Sequence, residues 1–176
     1  MVSDSGPGFS IRRARTDDVQ GIQELVGPLV QRRILLGKET VTFYEAVQEF
    51  RVAEDAEGRL IGCGALHVMW KDLGEVRTLA VSEGWLGRGV GHALLARLEE
   101  DARELGLDRL FCLTFEVGFF ERNGFEDMGA EAVDPQLYAE LVRSNDEGVA
   151  EFLDLARVKP NTLGNTRMLK HLAGTR

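Results

Sequence analysis

The sequence predicts a mixed α/β domain around one sheet, on three observations. Short apolar runs alternate with longer stretches whose apolar residues recur every three or four positions. A glycine-rich loop links a strand-like run to a strongly amphipathic helix. The chain, 176 residues long, 44% hydrophobic and 28% charged, can bury a core of its own and leaves little for a second domain. No apolar run approaches the roughly 20 residues of a membrane span. Residues 1–10 are small and polar, without a basic or apolar leader pattern, and read as a frayed tail before a single domain over 11–176.

The elements follow in order. Residues 11–14 form a strand candidate, and Thr16 stands where it would cap a helix carrying Val19, Ile22, Leu25 and Val26 at helical spacing. Pro28 is expected to disturb the end of that helix. The apolar loop Ile34-Leu35-Leu36-Gly37-Lys38 carries a cation, and 41–50 has helical spacing again. Strands are expected over 50–54, 60–68 and 74–81, the first two joined by a turn at Asp55, Glu57 and Gly58. A helix is expected from after Gly91 to about Leu105, stopped by Gly106. A buried strand over 109–115, a short helix over 118–122 and a turn at Gly124-Phe125 come next. Asp134-Pro135 starts a helix reaching about Arg143, and the tail offers two strands, near 152–155 and 167–172.

Twenty-one Lys and Arg against 29 Asp and Glu give a net charge of −8. That balance argues against nucleic acid or an anionic membrane as partner, since neutralising phosphates needs a basic face. Cys63 and Cys112 lie inside apolar runs and read as buried thiols of a reducing cytoplasm. His67, His92 and His171 share no metal-ligand spacing, and no metal is expected.

The most informative stretch runs Glu75-Val76-Arg77-Thr78-Leu79-Ala80-Val81, then Leu86-Gly87-Arg88-Gly89-Val90-Gly91-His92. Closely set glycines let peptide N–H groups converge on a bulky anion, and a helix N-terminus adds partial positive charge there. A phosphate cradle is therefore expected in a chain that is acidic elsewhere. A Rossmann site would need an early β-α-β unit with a later acidic residue, and a P-loop would need Gly-Lys-Ser/Thr where this chain has Gly91-His92-Ala93.

Leu79-Ala80-Val81 followed by Leu86-Gly87-Arg88-Gly89-Val90-Gly91 resembles the acetyl-CoA motif of the GNAT superfamily of N-acetyltransferases, and Phe119-Phe120-Glu121-Arg122-Asn123-Gly124-Phe125 is similar to its second signature. The resemblance implies a mixed, mostly antiparallel sheet flanked by helices, with a splayed central strand pair. It also implies acetyl-CoA as co-substrate. Leu79, Ala80 and Val81 would pair with its pantetheine arm as an added strand. Gly87, Arg88, Gly89, Val90, Gly91 and His92 would hold the diphosphate. Where the family usually has Gln or Arg this chain has Leu86, which removes one side-chain contact and leaves the backbone amides in place.

A closer resemblance is to the acetyltransferase half of the amino-acid N-acetyltransferases, the N-acetylglutamate synthases of arginine biosynthesis. It rests on Ile11-Arg12-Arg13-Ala14, on Pro28-Leu29 with Ile34-Leu35, on Ile61-Gly62-Cys63-Gly64-Ala65-Leu66, on Gly74-Glu75 with Ala80-Val81, on Leu113-Thr114, and on Phe120 with Gly124-Phe125. It implies glutamate as acceptor, with Glu75 as the base that deprotonates the amine. Leu35, Lys38, Arg77, Thr78, Asn161, Thr166 and Arg167 would bind the amino acid. Gly164 stands where an arginine is expected, and Phe120 where many of the superfamily place a tyrosine acid, so the thiolate would take its proton from solvent. Glutamine, another small amine, a protein N-terminus, or a regulatory module that binds CoA without turnover are the alternatives. Dimers are common for this fold, so a homodimer is one assembly open to the chain, and the sequence does not fix the oligomeric state. Residues 133–156 have no counterpart in the family and read as a lid or a dimer contact.

Overall fold

The computed structural model describes residues 5–6, 8–32, 38–129, 135–141, 143–144, 146–153 and 165–172. The chain forms two compact units, one of residues 1–67 and 76–104 and one of residues 68–75 and 105–176.

The first unit opens with β1 (Ser5–Gly6) and β2 (Phe9–Arg13), followed by α1 (Val19–Gln31), α2 (Thr40–Glu45), β3 (Phe50–Asp55) and β4 (Leu60–Trp70). It also holds most of β5 (Leu73–Val81) and all of α3 (Val90–Glu104). β1–β2, β2–β3 and β3–β4 are antiparallel, with Phe9 opposite Asp55 and Val52 opposite Cys63. Val19, Ile22 and Val26 bring the apolar stripe of α1 onto Phe50, Val52, Cys63 and Ala80. Helix α3 lies very close to β4 because two glycines make room. A Cβ at Gly62 would stand 2.9 Å from Leu94 and 3.0 Å from Val90, and one at Gly64 would stand 3.1 Å from Leu98. Arg51, 6% exposed, donates two 2.7 Å bonds to Asp101, tying β3 to α3.

The second unit contains β6 (Arg109–Thr114), α4 (Val117–Arg122), β7 (Glu126–Asp127), α5 (Pro135–Leu141), α6 (Glu147–Phe152) and β8 (Thr166–His171). The start of β5 pairs with β6 in parallel over three registers, from Leu73↔Arg109 to Glu75↔Phe111. β6–β8 and β7–β8 are antiparallel. Strand β5 thus closes the order β1-β2-β3-β4-β5 and opens the order β5-β6-β8-β7. The core of this unit gathers Met69, Leu73, Phe111, Met128, Leu141, Val149, Phe152 and Leu169.

Several expectations need correction. Phe9 and Ser10 are in β2, not in a tail; Phe9 is buried against Trp85, with ring centroids 6.3 Å apart. Helix α1 continues through Pro28 to Gln31, because the Pro28 carbonyl still accepts the Arg32 N–H at 3.1 Å. The stretch 41–50 is not one helix: α2 stops at Glu45, a 3-10 turn covers Val47–Glu49, and Phe50 starts β3. The strand expected near 152–155 is absent where the structure describes it. Val149, Phe152 and Leu153 lie three and four apart and bury one face of the helical turn at α6, a spacing that the apolar run concealed. Its residues 154–155, like all of 154–164, lie outside the described residues.

Candidate active site

The glycine loop has the geometry its composition implies. A 3-10 turn at Glu83–Trp85 leaves β5, and Gly87 and Gly89 take φ of +74° and +83°, the left-handed region that disfavours a Cβ. Added Cβ atoms at both would meet nothing within 4 Å, so the glycines serve backbone conformation and access, not packing. Helix α3 begins at Val90, and its first backbone bond runs from the Ala93 N–H to the Gly89 carbonyl at 2.9 Å. The peptide N–H groups ahead of Ala93 therefore occupy the positive end of the helix dipole. Trp85 pins the loop: its ring meets Phe9 edge-on, and the Arg88 guanidinium stacks 4.9 Å from its centroid. The amides, the helix end and the absence of side-chain bulk at Gly87 and Gly89 suit a diphosphate. Val90 itself is buried with Leu94, so it fixes the helix start and offers its main chain.

Just before this loop β5 is kinked. Thr78 has φ of +56°, the one non-glycine residue with positive φ among those described, and for a β-branched side chain that is a true departure from its preferred space. Three groups of the first unit meet at the kink. The Lys38 ammonium donates to Thr78 Oγ1 at 3.2 Å, and the buried Cys63 thiol donates to the Thr78 carbonyl at 3.4 Å. Burial pushes the Cys63 thiol up to about 12, with Lys38 pulling weakly the other way, so it stays a neutral S–H donor. Beyond the kink the Ser82 N–H bonds the Ile61 carbonyl at 2.8 Å. The structure thus brings Lys38 and Thr78 together, as the sequence did not foresee. Leu79 and Val81 pack beside Val90 and Leu94, and Ala80 is buried. Arg77 is half-buried on the same strand.

In the second unit, Glu75 ends the parallel ladder opposite Phe111 and is 6% exposed. Its charge, after burial, holds the Cys112 thiol well above its ordinary value. Residues in register share a face of the sheet, so Glu75 lies on the face of Phe111 and Leu169, and Arg167 on the face of its partner Leu113. Arg167 donates to the carbonyls of Phe152 and Gly129, which ties β8 to the end of α6 and to the turn after β7. Its Nε is buried with no partner. Thr166 pairs with Thr114. Phe120 is buried, edge-on to Phe119 and Phe125 with centroids 5.1 Å from each, so the position of a tyrosine acid is filled by packing. Leu35 and Asn161 lie outside the described residues. Asn165, which sequence reasoning passed over, is 7% exposed with its Oδ1 buried and unsatisfied. The one signal for it was its place beside Thr166 and Arg167. No group of three or more His, Cys, Asp or Glu among the described residues could hold a metal ion.

Comparison with known proteins agrees with these features. The model of the acetyltransferase (GNAT) family matches residues 30–125. An amino-acid acetyltransferase of Mycobacterium tuberculosis is 55% identical over 161 residues, covering 90% of this chain and 92% of that protein. An amino-acid acetyltransferase of Ectopseudomonas mendocina is 37% identical over 124 residues, where the matched part is 69% of this chain but 28% of that longer protein. Among solved structures, a Mycobacterium tuberculosis protein in complex with CoA and NLQ superposes with a TM-score of 0.87 at 55% identity, over 92% of this chain and 98% of that one. N-acetylglutamate synthase from Neisseria gonorrhoeae, complexed with coenzyme A and N-acetyl-glutamate, gives 0.76 at 27% identity, over 97% of this chain and 36% of that one. With its mixed, mostly antiparallel sheet flanked by helices, the chain belongs to the GNAT family of acetyltransferases.

Proposed function

We propose that the protein acetylates the α-amino group of a free amino acid, with L-glutamate as the acceptor, releasing N-acetyl-L-glutamate and CoA, as in the first step of arginine biosynthesis. The 55% identity to an amino-acid acetyltransferase, over almost all of both chains, is the observation that carries this reading. An α-ammonium must lose a proton before it can attack, and Glu75, a buried carboxylate on β5, takes that proton directly or through one water. Bound acetyl-CoA supplies the activated acyl carbon. The main chain of Gly87, Arg88, Gly89, Val90, Gly91 and His92 holds its diphosphate, and Leu79, Ala80 and Val81 offer their peptide groups to the pantetheine arm. A β5 N–H stabilises the charge that develops on the carbonyl oxygen. Arg77, Thr166 and the loop of Leu35 position the amino acid, together with Asn161.

Glutamine is the second reading. Lys38 is engaged at Thr78 and Arg167 at two backbone carbonyls, so two of the cations expected for a dicarboxylate already have partners. No described helix is long and apolar enough to cross a membrane, and an enzyme of amino-acid biosynthesis would work in the cytoplasm. The test is steady-state acetylation with glutamate, glutamine, aspartate, lysine and a polyamine. A preference of about tenfold or more for glutamate or glutamine is expected. Equal rates across the panel would remove the amino-acid reading, and CoA binding without any turnover would make the protein a regulatory module.

A further inference from the structure

The kink at Thr78 is held by two side chains that have no assigned part in acyl transfer in this geometry. At Thr78 the Cys63 thiol on β4 donates its proton to the main-chain carbonyl at 3.4 Å. On the other side the Lys38 ammonium, reaching in from beyond α1, holds the Thr78 hydroxyl at 3.2 Å. A β-branched residue at φ of +56° persists only where its surroundings over-determine it, and these two groups bond its hydroxyl and its carbonyl. The geometry points to Lys38 and Cys63 as positioning residues: they clamp the Thr78 kink and so aim the peptide groups of Leu79, Ala80 and Val81 at the acyl donor. This assignment rests on the use of acetyl-CoA and not on which amine is acetylated.

The kink predicts a pattern across five variants of the full chain, read by isothermal titration of CoA and by the separate KM values of acetyl-CoA and acceptor. Losing one such hydrogen bond should weaken CoA binding about tenfold in Lys38→Met and in Cys63→Ala, with the acceptor KM within about twofold. Cys63→Ser keeps a donor and an acceptor at the same place and should stay within about twofold of wild type. In Thr78→Gly the left-handed conformation carries no steric cost, so adding Lys38→Met to it should change CoA affinity less than about twofold. A rise in acceptor KM with unchanged CoA affinity in Lys38→Met would overturn the assignment, and so would an undiminished Lys38→Met effect on the Thr78→Gly background. Because Lys38 is only half-buried, its substitution tests the idea even if Cys63→Ala fails to fold. If CoA binds as described but no amino acid is acetylated, the proposed function fails while the clamp still stands or falls on CoA affinity.

Discussion

Gly89 holds φ at +83° in open space, which separates conformation from packing at that position. A Gly89→Val variant meets no neighbour and should fold, yet the β-branched side chain resists the left-handed region at a cost of about 1–2 kcal/mol. The loop then relaxes and its N–H groups diverge. CoA affinity, measured by titration calorimetry, is expected to fall by about tenfold or more, with the urea midpoint nearly unchanged. Cys63 and Cys112 support a second test. Both thiols are raised by burial, Cys63 to about 12 and Cys112 well above its ordinary value. In the unfolded chain they lose protons near pH 8.5, whereas the folded chain keeps them, so unfolding releases protons above that pH. Their contribution to stability is whole below it and is lost as pH rises through the folded values. The urea midpoint should decline from pH 9 to 11, and less steeply in Cys63→Ser; a flat profile in wild type would contradict the burial of these thiols.

At the scale of elements, the sequence reveals those that obey one strong local rule. Helix α3 keeps its apolar spacing and its glycine stop, and the strand leading into the glycine loop is a plain apolar run, so both appear where expected. Elements decided by tertiary contact were harder to read. Phe50 sits in a helical spacing but belongs to β3, where its ring packs against Phe43 at 6.1 Å. The turn at α6 reads as a strand until Val149 and Phe152 are seen to share one face. The Thr78 kink leaves no mark in composition, because nothing about a threonine announces a positive φ. The glycines of β4 were legible as a family motif, but their cause was not: they let α3 approach the sheet. Gly62→Val should press on Leu94 and Val90 and destabilise by about 1–3 kcal/mol in urea unfolding. A variant as stable as wild type would show that α3 can move away at no cost.

For the molecule as a whole, a net charge of −8 is compatible with the proposed diphosphate site, since such a cradle depends on peptide N–H groups and a helix end and needs few basic side chains. The conformation of the glycine loop was therefore readable from the glycines. The acceptor half was not, since its residues come from separated stretches, and Leu35 and Asn161 lie outside the described part of the chain. Arg167, expected to meet substrate, ties β8 to two backbone carbonyls. The most direct measurement of the proposed chemistry is the turnover of Glu75→Gln with saturating acetyl-CoA and glutamate, followed by release of the CoA thiol. Loss of the base should lower kcat by about a hundredfold or more while CoA affinity stays at the wild-type value. Turnover equal to wild type would mean that Glu75 takes no proton from the acceptor.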